Sequence, residues 1–127
     1  MSESLPNFKA GEPQAADIIA RARTVCLPTI VLGELRAGFR LGKHQERNES
    51  ELQAFLLNSA VRIMEVDEEA SYHYAEIFAE LRRRGTPVPT NDMWIAALAV
   101  RDGATILTFD EHFEFIRRVG THLLRGS

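Results

Sequence analysis

Apolar residues recur along this chain with two periods, one typical of helices and one typical of strands. Helical spacing predicts helices over residues 13–23, 28–42, 47–58, 67–84 and 90–103, caps and stops included, and a short last helix over residues 111–118. Short apolar or alternating runs predict strands over residues 24–27, 61–66, 104–108 and 120–124. Strands that alternate with helices are typical of an α/β fold with a parallel sheet and helices on both faces.

The predicted helix ends rest on residues with a known preference for those positions. Asp67 and Thr90 are candidate N-caps, because their side chains can accept a hydrogen bond from a free N–H of the first turn. Gly42, Gly85 and Gly103 are candidate stops. Residues 86–89, Thr-Pro-Val-Pro, predict a stiff, extended linker between the helices predicted over residues 67–84 and 90–103.

Length and composition describe an ordinary globular protein. The chain has 127 residues, which favours one domain over residues 1–127, with 45% hydrophobic and 26% charged residues. A net charge of −3 argues against a protein that coats nucleic acid through bulk charge, but it leaves room for a local basic patch. The single cysteine, Cys26, excludes an intrachain disulfide and favours a cytoplasmic location; we expect it to be a small buried side chain. Neither a membrane-spanning run nor a signal peptide is predicted.

Three carboxylates interrupt or close apolar stretches, where a carboxylate is costly to bury without a partner. Glu34 lies inside a predicted helix, Asp92 lies in the first turn of another, and Asp110 follows a predicted strand by two residues. Because sites in parallel sheets gather at the carboxyl ends of the strands, we expect these side chains to share one acidic pocket. Such a pocket needs a cation, and Mg²⁺ prefers oxygen ligands. A divalent cation there would activate water against a phosphodiester.

Each of these residues also has a plainer interpretation. Asp92 and Asp110 are compatible with simple helix caps, and Glu34 with a salt bridge to Arg36 or Arg40. Asn91 directly precedes Asp92, and Thr108 precedes Asp110 by two residues. We expect these two side chains to orient the carboxylates or a water molecule. The run Arg82, Arg83 and Arg84 is either a solvated helix end or a phosphate-binding patch beside the site.

Three stretches together resemble a PIN domain of the VapC type, the ribonuclease toxins of toxin–antitoxin pairs. They are TIVLGELRAGF, IFAELRRRGTPVPTNDMWIAALAV and ILTFDEHFEFI, and the resemblance extends over about residues 5–118. It implies a three-layer α/β/α sandwich, RNA hydrolysis that depends on Mg²⁺ or Mn²⁺, a homodimer and a cognate antitoxin. The family's acidic residues correspond here to Glu34, Asp92 and Asp110.

The beginning of the chain departs from the family pattern. The family opens with an apolar central strand that ends in an Asp, and the alignment places Met1 about where that Asp belongs. Met1-Ser2-Glu3-Ser4 has no strand pattern, so we expect the first strand and the first metal ligand to be missing. A late start codon, a truncation and a degenerate gene are open explanations. Two functions follow: a metal-dependent endoribonuclease weakened by the missing ligand, or an inactive remnant that binds an antitoxin or another protein.

Overall fold

The computed structural model describes residues 2–4, 24–108 and 111–123. The helix predicted over residues 13–23 lies outside this part of the chain, and so does Asp110. In the described part, a sheet of five strands has the order β3-β2-β1-β4-β5, and every neighbouring pair is parallel. The strands are β1 (Ser2–Ser4), β2 (Thr24–Pro28), β3 (Val61–Met64), β4 (Thr105–Thr108) and β5 (Thr121–Leu123).

The prediction that the first strand is missing is wrong. β1 occupies the centre of the sheet, where Glu3 pairs with Val25 of β2 on one side and with Thr105 of β4 on the other. Strand pairing uses main-chain N–H and C=O groups, which any residue except proline supplies. Without β1, the inner edges of β2 and β4 would keep buried groups unpaired. The polar sequence Ser-Glu-Ser hid this strand, because strand preference depends on the surroundings more than on the residue.

The described helices follow the predicted periodicity closely. They are α1 (Thr29–Leu41), α2 (Gln45–Leu56), α3 (Glu68–Arg84) and α4 (Thr90–Asp102). The last predicted helix, over residues 111–118, is instead a 3₁₀ helix over Glu111–Phe115. Short 3₁₀ segments are frequent connectors, since five residues form too few bonds for a stable α-helix.

Most of the predicted helix ends are confirmed. Asp67 caps α3, because its Oδ1 accepts a hydrogen bond from the N–H of Ala70 at 3.0 Å. Gly85 and Gly103 end α3 and α4 with φ of 64° and 66°, a left-handed conformation that favours glycine. Thr90, in contrast, is not a cap: it is the first residue of α4, and Pro89 before it provides no side-chain cap.

Both faces of the sheet are covered by helices, as the sandwich architecture requires. On β2, Val25 and Leu27 point to one face and Cys26 to the other, since side chains alternate along a strand. All three are at most 2% exposed. Cys26 packs in a cluster with Ala70 of α3 and Leu98 of α4. The expected burial of Cys26 is therefore confirmed, and so is the α/β fold class.

Helix α4 is buried on more than one face. Its fully buried residues form a nearly continuous run: Met93, Ile95, Ala96, Ala97, Leu98 and Ala99. A helix with apolar residues on all sides lies inside a domain rather than on its surface. The alanines make this possible, because they let neighbouring elements approach closely. None of the described helices is long and apolar enough to cross a membrane.

Arg101, near the end of α4, connects that helix to the start of α3. Its side chain is 11% exposed, and it donates to the carbonyl of Glu65 at 2.7 Å, to Asp67 Oδ1 at 2.9 Å and to Asp102 at 2.8 Å. The hydrogen bond from the Ala70 N–H, and after it the one from Arg101, lower the pKa of Asp67. One guanidinium thereby binds the N-cap of α3, a loop carbonyl and the last residue of its own helix.

Replacing Arg101 by Lys should lower the free energy of unfolding by about 1–3 kcal/mol, because a single ammonium cannot reproduce the planar fork. Urea denaturation measures the change, with Arg83→Lys at an exposed position of α3 as the control. Since the pKa of Asp67 is lowered, its contribution is complete above the unfolded value of about 3.9 and is lost as pH falls through the folded value. The difference in free energy of unfolding between the Arg101→Lys variant and wild type should therefore shrink below about pH 4. A difference that stays constant to pH 2 would contradict this account.

Candidate functional site

Glu34 lies in the second turn of α1, and its side chain is exposed. The salt bridge that offered a plainer explanation is not formed with Arg36. Instead, Arg36 Nε donates to Glu49 Oε1 at 3.1 Å and Arg36 Nη2 donates to Oε2 at 3.0 Å. This pairing lowers the pKa of Glu49. Within the described residues, no ion pair joins Glu34 to Arg36 or Arg40, so its carboxylate faces solvent without a cationic partner there.

Asp92 lies in the first turn of α4 and is partly buried. The positive end of the helix dipole favours a carboxylate at this position. Helix α1 packs against α4, so Glu34 and Asp92 are carried by two elements in direct contact.

The chain path brings the predicted site residues to one edge of the sheet. Helix α1 begins immediately after the carboxyl end of β2. Helix α4 leads through Gly103 into the start of β4, so its first turn, with Asp92, lies on the side where β4 ends. Thr108 is the last residue of β4. Asn91, beside Asp92, is exposed.

The donor chemistry of these residues fits a hard divalent cation. Glu34 and Asp92 contribute carboxylate oxygens, the ligand type that Mg²⁺ and Mn²⁺ take. Among the described residues, no group of three or more His, Cys, Asp or Glu side chains is arranged around a common point. The prediction that Asp110 completes a metal site with Glu34 and Asp92 concerns a residue outside the described part of the chain.

The three arginines at the end of α3 differ in their surroundings. Arg84 is held in place, because it donates to the carbonyl of Phe115 and lies 4.0 Å from Glu80. Arg82 lies over the ring of Phe78, with its guanidinium carbon 5.6 Å from the ring centroid. Arg83 is exposed. The predicted patch thus contains one structural arginine and two whose charge is available to a ligand.

A groove beside Asp92 was not foreseen from the sequence. It has a volume of about 490 Å³, and its wall includes Phe78 and Arg82 from α3, Thr86 from the linker, and Thr90 and Met93 from α4. Phe78 directly follows the buried Ile77 in α3, but 41% of it is exposed. The available signal was the Arg four residues later, at the spacing where two side chains meet on a helix.

Comparison with known proteins identifies the fold family. The model of the PIN domain family matches residues 7–119, which is most of the chain. The chain belongs to the PIN-domain family.

Similar proteins place this PIN domain among the VapC-type ribonucleases of toxin–antitoxin systems. It is 33% identical over 92 residues to ribonuclease VapC2 of Rickettsia felis, over 72% of this chain and 67% of that protein. It is 34% identical over 84 residues to the tRNA(fMet)-specific endonuclease VapC of Salmonella typhimurium, over 66% of this chain and 62% of the relative. The matches therefore span about two thirds of the relatives' length.

A solved structure extends the likeness over almost the whole chain. This PIN domain superposes on a chain of DNA-bound VapBC from Salmonella typhimurium with a TM-score of 0.80 and 27% identity, covering 96% of this chain and 97% of the other. The resemblance to VapC-type PIN domains noted in the sequence is thereby confirmed, together with the fold that it implied.

Proposed function

We propose that this PIN domain is an endoribonuclease toxin that hydrolyses RNA phosphodiester bonds with Mg²⁺ or Mn²⁺ held by Glu34, Asp92 and Asp110. A bound divalent cation would lower the pKa of water and offset the negative charge of the phosphoryl oxygens. The chain itself supplies carboxylates fixed on packed helices, and Asn91 and Thr108 would orient them. In the reaction, the water oxygen bonds to phosphorus, the bond to one ribose oxygen breaks, and that oxygen takes up a proton.

The observation that carries this proposal is the pairing state of Glu34. A surface carboxylate next to an arginine is often paired with it in a salt bridge, but here Arg36 donates its hydrogen bonds to Glu49. Glu34 therefore keeps its charge for another partner, on a helix in contact with the one that carries Asp92. A divalent cation held by Glu34 and Asp92 would interact favourably with both carboxylates.

The partners of this chain are inferred from its solved relatives. Solved relatives are VapBC toxin–antitoxin complexes. We propose that a cognate antitoxin binds this chain and blocks the site, that the chain forms a homodimer, and that it acts on RNA in the cytoplasm.

RNA cleavage with and without a divalent ion tests the proposal directly. Purified protein should cleave RNA when Mg²⁺ or Mn²⁺ is present, and a chelator should abolish cleavage. A tRNA is a suitable first substrate, since one relative is named as a tRNA-specific endonuclease. Cleavage that persists in excess chelator would overturn the metal-dependent mechanism.

A melting experiment separates the enzyme from an inactive remnant that only binds a protein. A site that binds the ion in the folded state alone raises the melting temperature with ion concentration. At 100 times the Kd, the gain is about 2.7 kcal/mol. We expect such a rise with Mn²⁺, and a smaller rise in Glu34→Gln. An unchanged melting temperature together with absent cleavage would favour the remnant.

A further inference from the structure

Aromatic rings of α3 and α4 form a continuous stack that ends in the wall of the groove. The ring centroids of Trp94 and Tyr74 are 4.1 Å apart, and those of Tyr74 and Phe78 are 6.3 Å apart, with interplanar angles of 23° and 22°. Arg82 lies over the ring of Phe78. The inner rings are partly buried, whereas Phe78 at the outer end is substantially exposed in the groove wall.

The groove has the size and lining of a small-molecule site rather than of a flat contact surface. Its volume of about 490 Å³ lies within the usual range for ligand pockets. Leu81, Val88 and Met93 give it an apolar floor, while Thr86 and Thr90 bring hydroxyl groups to its rim. This combination suits a planar, partly polar ring, which stacks through its face and forms hydrogen bonds through its edge.

The positive charge at the groove favours a ligand that carries a phosphate. Arg82 lines it, and Arg83, the next residue, is exposed. A guanidinium both stacks on flat rings and binds phosphate oxygens. An exposed aromatic ring with an arginine beside it is the arrangement that proteins use to hold a nucleobase together with its phosphate.

The groove lies next to Asp92 along α4, between Thr90 and Met93. Met93 in its wall follows Asp92 directly, so the two Cα atoms are about 3.8 Å apart. A base in the groove would therefore belong to a nucleotide close to the phosphate that is cut. Bases inside a duplex are stacked and paired, and only an unstacked base can enter such a groove.

We infer that the groove lined by Phe78 and Arg82 is a base-binding subsite that holds an unpaired nucleotide next to the scissile phosphate. The base stacks on Phe78, and Arg82 moves from the ring to the neighbouring phosphate. This inference rests on the proposed ribonuclease function and adds to it a source of affinity for RNA, which is stacking on Phe78 in addition to charge.

Binding is measured apart from cleavage, so that the two proposals fail independently. A fluorescein-labelled single-stranded oligoribonucleotide is titrated with Asp92→Asn protein and followed by fluorescence anisotropy. Adding Phe78→Leu should weaken binding about 5- to 150-fold, the effect of losing one stacked base. Adding Phe78→Trp should preserve or strengthen binding. The duplex form of the same oligonucleotide should bind weakly and respond little to either change.

Matched controls come from the same helix. Tyr72 is an exposed aromatic residue of α3 that is not among the described residues lining the groove, and Tyr72→Leu should leave RNA binding unchanged. Arg82→Gln should weaken binding more than Arg83→Gln does. In otherwise wild-type protein, Phe78→Leu should raise KM on a single-stranded substrate more than it lowers kcat.

Equal RNA binding by Phe78→Leu and Tyr72→Leu proteins would overturn the inference, even if cleavage depends on metal as proposed. A Phe78→Leu protein that keeps its RNA affinity but loses self-association or antitoxin binding would assign the groove to a protein partner instead. Should Phe78→Leu fail to fold, Arg82→Gln decides: an RNA affinity no weaker than that of Arg83→Gln refutes the subsite.

Discussion

Replacing Asp92 by Asn should reduce RNA cleavage at least about a hundredfold, the scale of effect seen when one electrostatic group is removed from an active site. Asn has nearly the same shape but no charge, so it would hold a divalent cation much more weakly. The fold should be preserved, since the partly buried side chain keeps its volume and Asn is tolerated in a first helical turn. The measurement is initial cleavage rate against Mg²⁺ or Mn²⁺ concentration, in wild type and variant.

The neighbouring helices provide the comparisons that make this result specific. Glu34→Gln should cause a loss of similar size, because it removes the other described carboxylate of the pair. Glu51→Gln changes an exposed carboxylate of α2 and should leave the cleavage rate within about twofold of wild type. Solvent and salt screen such a surface charge from the site. Full activity in Asp92→Asn would sink the assignment of the site, whatever the behaviour of the fold.

Helices were the most predictable part of this protein, because their burial repeats every 3.6 residues. α3 and α4 were recognised from apolar spacing, from the cap at Asp67 and from the glycines that follow each helix. β1 was not predictable in this way. Its three residues carry no apolar pattern, and only its neighbours β2 and β4 make it a strand. Pairing between distant segments leaves no trace in the periodicity of one segment.

The candidate site, too, was predictable from the sequence only in part. The carboxylates Glu34 and Asp92 were visible as charges inside apolar runs, but their nearness depends on the packing of α1 against α4. Phe78 directly follows the buried Ile77 in α3, yet its ring is partly exposed. The last turns of α3 line a groove together with the linker that follows them. Helix spacing alone does not reveal whether a neighbouring element covers such a position.

Replacing Glu3 by Pro should lower the free energy of unfolding by about 3 kcal/mol or more, although the residue is third in the chain. Glu3 is the middle residue of the central strand and is paired on both sides. Proline removes its N–H and leaves an acceptor of the neighbouring strand unpaired, and its fixed φ near −65° distorts a parallel strand. For this reason proline is confined to edge strands, first positions and bulges.

The matched variant Glu3→Ala separates the main chain from the side chain. It keeps the N–H and should change stability by less than about 1 kcal/mol, so urea denaturation of the two variants isolates the contribution of strand pairing. If both variants were as stable as wild type, β1 would add nothing to the sheet. The inner edges of β2 and β4 would then have to satisfy their buried groups in another way, which is the arrangement expected of a chain without its first strand.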